Sequence, residues 1–328
     1  SKYLYTTFGY NLLGSVAEGA SGTQFVELLQ QRVFTPADMQ QTVADDQYSV
    51  IKHRTRGYIR PTNKTLQKSN AVEFLVEGEL YNAALHDTSM KVPGGGFLST
   101  ANDLVRFAIA LNEDRLVSAN TRQQMWTSQK TDDGKRTGYG LGWRVSTRRG
   151  QQQVWHTGGQ AGTSTILFML PESGTTVAIM CNLQSVKLLP LATAIADTVS
   201  PPPTYEGDYT TAVAKLSAAV KHEVEQKQIP AFSIAIVDDK RVIWADGFGH
   251  QDAGKKIPAT ENTVYRVGSV SKLFTDIAIM QLVEQGKLDL DTPVQSYLPD
   301  FKPGNPHEVE ITLRQLMTHR SGLVRESP

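Results

Sequence analysis

A serine and a lysine at helical spacing carry the clearest chemistry in this sequence. In Arg266-Val267-Gly268-Ser269-Val270-Ser271-Lys272-Leu273 the serine stands three positions before the lysine. Three residues is nearly one helical turn, so the two side chains fall on one face as neighbours. A serine hydroxyl is a weak nucleophile near neutrality and needs a base within hydrogen-bond reach. Lysine serves as that base only where burial or nearby positive charge lowers its pKa. The apolar Leu273, Ile277, Ile279, Met280 and Val283 that follow make burial reasonable. Ser269 is also expected at the start of the helix, where unpaired N–H groups favour a developing oxyanion. The pattern by itself is weak, since Ser-x-x-Lys arises about once by chance in a chain of this size. Ser49-Val50-Ile51-Lys52 is a second instance, but no glycine precedes it and it opens no amphipathic helix.

Other chemistry finds less support. His222-Glu223 and His307-Glu308 lack the second histidine of a zinc-protease helix and read as solvated charges. The glycines at 94–96 are not followed by Gly-Lys-Ser/Thr, so they mark a turn and not a phosphate loop. The single cysteine, Cys181, excludes an intrachain disulfide and reads as a small hydrophobe in a buried strand. No metal and no cofactor are expected. The 33 basic side chains balance 33 acidic ones, so neither nucleic acid nor an anionic membrane is an expected partner. No uncharged apolar stretch is long enough to span a bilayer, and Ser1-Lys2-Tyr3-Leu4-Tyr5 lacks the zones of a signal peptide.

The elements that must position Ser269 follow from hydrophobic period. Helices are expected at 8–18, from Thr23 to before Pro36, at 102–112 with Thr100 and Asp103 spaced as a capping box, at 188–199, at 211–226 and at 269–285. Strands are expected at 143–146, 153–156, 164–170, 175–182, 231–237 and 241–248, separated by short turns that favour antiparallel pairing. Residues 48–90 give no clear period. Ser200-Pro201-Pro202-Pro203 reads as a stiff connection. The expected fold class is α+β, an antiparallel sheet flanked by helices plus a mainly helical subdomain, with the site between them. The division expected is 1–130 helical, 131–268 sheet and 269–328 the helix of Ser269 with the rest of the helical part.

Several motifs together resemble the serine β-lactamase and penicillin-binding-protein superfamily, with its transpeptidase-like fold. They are Gly268-Ser269-x-x-Lys272, Gln285-Gly286-Lys287-Leu288-Asp289-Leu290-Asp291, Leu316-Met317-Thr318-His319-Arg320-Ser321-Gly322-Leu323, Tyr5-Thr6-Thr7, Gly95-Gly96-Phe97-Leu98-Ser99-Thr100, Gly138-Tyr139-Gly140-Leu141-Gly142-Trp143 and His156-Thr157-Gly158-Gly159. The wording is most like the class C and esterase branch and the mitochondrial β-lactamase-like proteins with their bacterial relatives. The segment order differs from the family's: the stretch from about Pro203 to Leu323 comes first there. The resemblance thus implies a circular permutation, with ends joined near 200–203.

It implies roles as well. Ser269 would be the nucleophile, Lys272 its base and Tyr5 a proton relay, provided nearby cations favour its phenolate. The backbone N–H groups of Ser269 and Gly159 would form the oxyanion hole. His156, Thr157, Gly158 and Thr7 would contact substrate. Thr7 stands where class C relatives have asparagine, and His156 where β-lactamases have lysine, so peptidase or esterase action is expected in preference to β-lactam hydrolysis. Substrates would be a small peptide, an ester or a β-lactam. The same resemblance allows a penicillin-binding module or a homo-oligomeric, filament-forming scaffold, and an exported bacterial or a mitochondrial location.

Overall fold

The computed structural model describes residues 2–62, 75–199, 209–303 and 310–326. The proline run at 200–203 and His307-Glu308 lie outside these residues. From the N-terminus come α1 (Phe8–Ser21), α2 (Phe25–Leu29), three two-residue strands β1 (Val43–Ala44), β2 (Tyr58–Ile59) and β3 (Tyr81–Asn82), the short turn α3 (Val92–Gly95) and β4 (Phe97–Ser99). Helices α4 (Ala101–Asn112) and α5 (Ala119–Met125) follow. Thr100 caps α4 by accepting from the Asp103 N–H at 3.1 Å. The Asp103 carboxylate accepts instead from Thr42 and the Gln41 N–H, so only half of the expected capping box forms.

Next come four strands in succession, β5 (Arg144–Arg148), β6 (Gln151–Gln160), β7 (Thr163–Leu170) and β8 (Thr175–Cys181), then α6 (Leu189–Val199) and α7 (Thr210–Gln226). The hairpin β9 (Ala231–Asp238) and β10 (Arg241–Asp252) leads to β11 (Ile257–Pro258), β12 (Tyr265–Arg266), α8 (Ser271–Glu284) and α9 (Leu313–Met317). Strands β5 to β11 make one antiparallel sheet in the order β11-β10-β9-β8-β7-β6-β5. β4 joins β1 and β12 in a separate three-stranded sheet.

Alternation along β7 to β9 divides the interior. Leu167, Met169, Ala178, Met180, Ala235 and Val237 face one core, which also takes in α1, α4 and α8. Ile166, Phe168, Val177, Ile179, Cys181, Ile234 and Ile236 face a second core closed by α6 and α7. With both faces covered, β7 and β8 read as continuous apolar runs and not as alternating ones. Cys181 is fully buried, and burial pushes its thiol up to about 11.

Helix α8 is enclosed on nearly every side by α1, α2 and α3, and Ser271 to Met280 are all buried. A helix apolar around its whole circumference belongs inside a domain. Lys272 and Asp276 are carried into that interior with it.

One buried carboxylate ties the approach to Ser269. Asp45 accepts from Arg54 at 2.6 Å and from Arg266 at 2.7 Å, with its own side chain 1% exposed. Thr88 donates to its second oxygen at 3.0 Å. Replacing Asp45 by alanine leaves two guanidinium groups without their anion. Urea unfolding will show a loss of about 3–5 kcal/mol; a loss below about 1 kcal/mol would mean that solvent already screens the cluster.

Candidate active site

Ser269 does not open α8, as the sequence suggests, but sits in a 3-10 turn, Gly268–Val270, just before it. Two bonds from β4 hold that turn: the Val267 N–H donates to the Phe97 carbonyl at 3.0 Å, and the Phe97 N–H donates to Ser271 Oγ at 3.3 Å. Ser269 is partly open to solvent, while Lys272 one turn on is fully buried. Lys272 Nζ lies 3.3 Å from Ser269 Oγ and also donates to the Gly94 carbonyl. The ring faces of Tyr10 and Tyr5 lie 5.0 and 5.3 Å from it. Burial brings the Lys272 ammonium down to about 7; a carboxylate at Asp276 would oppose this, as the charge of Glu326 does, and the charges of Lys91 and Arg325 add to it. A buried amine beside a partly exposed hydroxyl is the arrangement required of a base and its nucleophile.

Tyr5 reaches the site because two distant parts of the sequence pair. The Leu4 N–H donates to the His319 carbonyl at 2.8 Å, the Thr6 N–H to His319 Nδ1 at 3.2 Å, and the Thr7 N–H to the Arg325 carbonyl at 2.7 Å. The Tyr5 ring stacks on His319 with centroids 4.1 Å apart. Burial pushes its phenol well up, and a hydrogen bond with Ser269 and the charges of Arg144 and Arg325 lower it by less. The cations favour the phenolate too weakly to offset burial, and Tyr5 is held as a neutral phenol.

The free edge of β6 forms the facing wall. β5 pairs only with Gln151 to Trp155, so the strand beyond runs on with one unpaired edge. Here the glycines have a specific use. A methyl on Gly268, whose φ is +52°, would lie 2.7 Å from the Gly159 nitrogen, and one on Gly158 would overlap the Val267 carbonyl oxygen. Only bare backbone lets β6 and the nucleophile turn touch. Thr157 and Gly159 are exposed, and residues 157–160 line a groove of about 670 Å³ shared with Gln184, Ser185 and Lys187, whose lining includes none of Ser269, Lys272 and Tyr5. A second cavity of about 670 Å³, lined by Arg54, Arg56, His86, Lys255 and Arg266 among others, lies past the β6–β7 turn and includes none of Ser269, Lys272 and Tyr5.

Two expected substrate contacts are enclosed instead. Thr7 is 8% exposed, with its methyl packed over Gly94. His156 is 1% exposed and bound to Tyr139, so it does not line the cleft. It faces Tyr5 at a centroid distance of 6.3 Å.

His156 ends a hydrogen-bond chain whose direction follows from one fixed donor. The Thr6 N–H donates to His319 Nδ1 at 3.2 Å, so the His319 proton is on Nε2 and goes to Tyr139 Oη at 3.1 Å. Tyr139 then donates to His156 Nε2 at 3.0 Å, and His156 Nδ1–H donates to the Thr157 carbonyl at 2.8 Å. Both rings are neutral. Burial and then the Lys272 charge push His156 down to about 3, and the same two causes, in the same order, push His319 well below its usual range. His319, Tyr139, Tyr10 and Asp276 were given no role from sequence. The one local signal was an aspartate inside the apolar run of α8.

The folded chain keeps both histidines neutral, whereas the unfolded chain protonates them near 6.5. The histidines' contribution to stability is therefore complete above about pH 6.5 and is lost below it, by about 1.4 kcal/mol per histidine per pH unit, as the unfolded state gains protons. Taken from pH 7.5 to 5, urea midpoints of the parent will fall relative to those of His156→Asn; midpoints that keep a constant difference down to pH 5 would contradict a buried neutral ring at His156.

The chain is similar to several known proteins. The mitochondrial serine beta-lactamase-like protein LACTB of Homo sapiens is 32% identical over 235 residues, which is 60% of this chain and 40% of that protein. Protein flp of Staphylococcus aureus is 34% identical over 110 residues, 33% of this chain and 22% of that one. The chain therefore spans less than half the length of these relatives. Among solved structures, the D-amino acid amidase of Ochrobactrum anthropi is similar with a TM-score of 0.45 and 18% identity, covering 69% of this chain and 59% of its own. The family model described as Beta-lactamase matches residues 1–200 and 216–328. With nearly the whole sequence matched, the chain belongs to the beta-lactamase family.

Proposed function

We propose that the protein is a serine acyl-transfer hydrolase that cleaves an amide or ester through an acyl-enzyme on Ser269. The observation that carries this reading is the buried Lys272 amine 3.3 Å from the Ser269 hydroxyl. Ser269 Oγ attacks the substrate carbonyl carbon while its proton passes to Lys272 Nζ. The oxyanion accepts from the backbone N–H groups of Ser269 and Gly159, whose segments are in contact. Collapse breaks the bond to the leaving group, which departs as an amine or alcohol after taking a proton. Tyr5, a neutral phenol over Lys272, donates that proton and is resupplied by the Lys272 ammonium. Water then attacks the ester with Lys272 again as base, the carbonyl bond to Ser269 Oγ breaks as Lys272 returns the proton to that oxygen, and the acid product leaves.

Neutral His156 and enclosed Thr7 argue for the substrate class. β-Lactams carry a carboxylate, and His156 gives it no charge because it is buried and bound to Tyr139. Peptide or ester turnover is therefore proposed to exceed penicillin turnover. The D-amino acid amidase likeness does not decide this.

Incubation with a fluorophosphonate will add one adduct mass to the parent, and Ser269→Ala will show none. Lys272→Ala and Tyr5→Phe will each lower kcat/KM for an activated ester by roughly 10²–10⁴-fold. Because Lys272 must be a free amine to act, kcat/KM will rise with pH through a limb at about 7. An adduct that persists in Ser269→Ala, or penicillin turnover equal to ester turnover, would overturn the proposal.

A further inference from the structure

The carboxyl group of Asp276 is used by none of the steps above, yet it lies one helical turn beneath Lys272 on the same face of α8. It is fully buried. Its Oδ2 lies 3.1 Å from Tyr10 Oη, and Oδ1 has no hydrogen-bond partner. Among the described residues no cation comes within ion-pair distance of it. Backbone closes the space around it: a methyl on Gly142, itself at φ +82°, would overlap Oδ2.

A count of hydrogens fixes its state. Tyr10 Oη also lies 3.2 Å from the Met317 carbonyl oxygen, which accepts from the Gly142 N–H as well. Tyr10 has one hydrogen and two acceptor neighbours. An ionised Asp276 would hold at most one hydrogen bond in a buried site with no cation, an arrangement strongly disfavoured by desolvation. A protonated Asp276 satisfies every hydrogen: Oδ2–H donates to Tyr10 Oη, Tyr10 donates to Met317 O, and the orphaned Oδ1 is an uncharged carbonyl oxygen.

We infer that Asp276 is a neutral carboxylic acid whose proton locks Tyr10 against the Met317 carbonyl and whose lack of charge leaves Lys272 free to be an amine. This makes it a positioning residue, since Tyr10 presents its ring face to Lys272 Nζ at 5.0 Å. The other groups facing Lys272 are Tyr5 from the N-terminal segment, Lys91 from the turn before α3, and Arg325 and Glu326 from the C-terminal segment. Neutral His156 on β6 and His319 after α9 complete the surroundings. An ionised Asp276 would be the nearest anion to Lys272 on its own helix and would hold it protonated. Burial, which pushes the Asp276 carboxyl well up, agrees with the hydrogen count.

The inference rests on Lys272 acting as the base, and Asp276→Asn tests it with the fold preserved. The asparagine N–H donates to Tyr10 as the acid did, and neither group is charged. The variant is expected to stay folded, to keep kcat/KM within about threefold, and to leave the acid limb of the pH profile in place, because no charge near Lys272 has changed. Infrared difference spectra, parent minus variant at pH 7, are expected to show the carbonyl stretch of a carboxylic acid. Absence of that band, or a limb that moves down by about one pH unit or more on loss of a carboxylate, would overturn the inference. The infrared band needs no turnover. If Ser269→Ala were as active as the parent, the reading of the site would fall while the band still decided the state of Asp276.

Discussion

The site depends on the loss of charge from one ammonium group. Lys272 is carried by the most enclosed helix of the molecule, and water that would solvate its cation is replaced by tyrosine rings, a carbonyl oxygen and the hydroxyl it must deprotonate. Desolvation disfavours the charged form, and among the described residues no carboxylate forms an ion pair with Lys272 to offset it. An ion pair in this place would bring the ammonium back and remove the base. The polar groups nearby fit that requirement. Asp276 keeps its proton, His156 and His319 are tied into neutral tautomers, and Tyr5 is held as a phenol. A set of groups that could carry charges is thereby held without them.

The backbone supplies the second constraint. Two glycines allow the edge of β6 to rest against the turn that carries Ser269, and the proposed oxyanion hole takes its two N–H groups from these touching segments. The hydrogen-bond chain from Thr6 through His319, Tyr139 and His156 to the Thr157 carbonyl joins the Tyr5 segment to that same edge. It links three elements far apart in sequence, so a shift in any one is resisted by the other two. Buried chains of this kind fix geometry when every member is satisfied.

Much of this was legible in the sequence, for reasons that are local. The strands at 163–170 and 175–181 declared themselves by β-branched runs between turn residues, and Ser269 with Lys272 by spacing on a helix. What was illegible depended on contacts made across the chain. In the described parts of 48–90 no period was legible because the strands there are two residues long and lean on distant partners, Arg54 beside Val264 and Tyr58 beside Leu183. His156 was placed by its motif, but its burial could not be read, since Tyr139 and His319 enclose it from elsewhere in the sequence. Thr7 was misread as a substrate contact for the same reason: Gly94 covers it. The enclosure of α8 turned an apparent amphipathic helix into a central one, and with it made an acid of Asp276.

The direct test is to titrate Lys272 itself. Carbon-13 labelling at lysine Cε, with the signal assigned by its loss in Lys272→Met, follows one amine by NMR across pH. The account predicts a midpoint at about 7, set apart from the exposed lysines. A midpoint near 10, shared with the rest, would show an ordinary ammonium and contradict the claim that Lys272 activates Ser269.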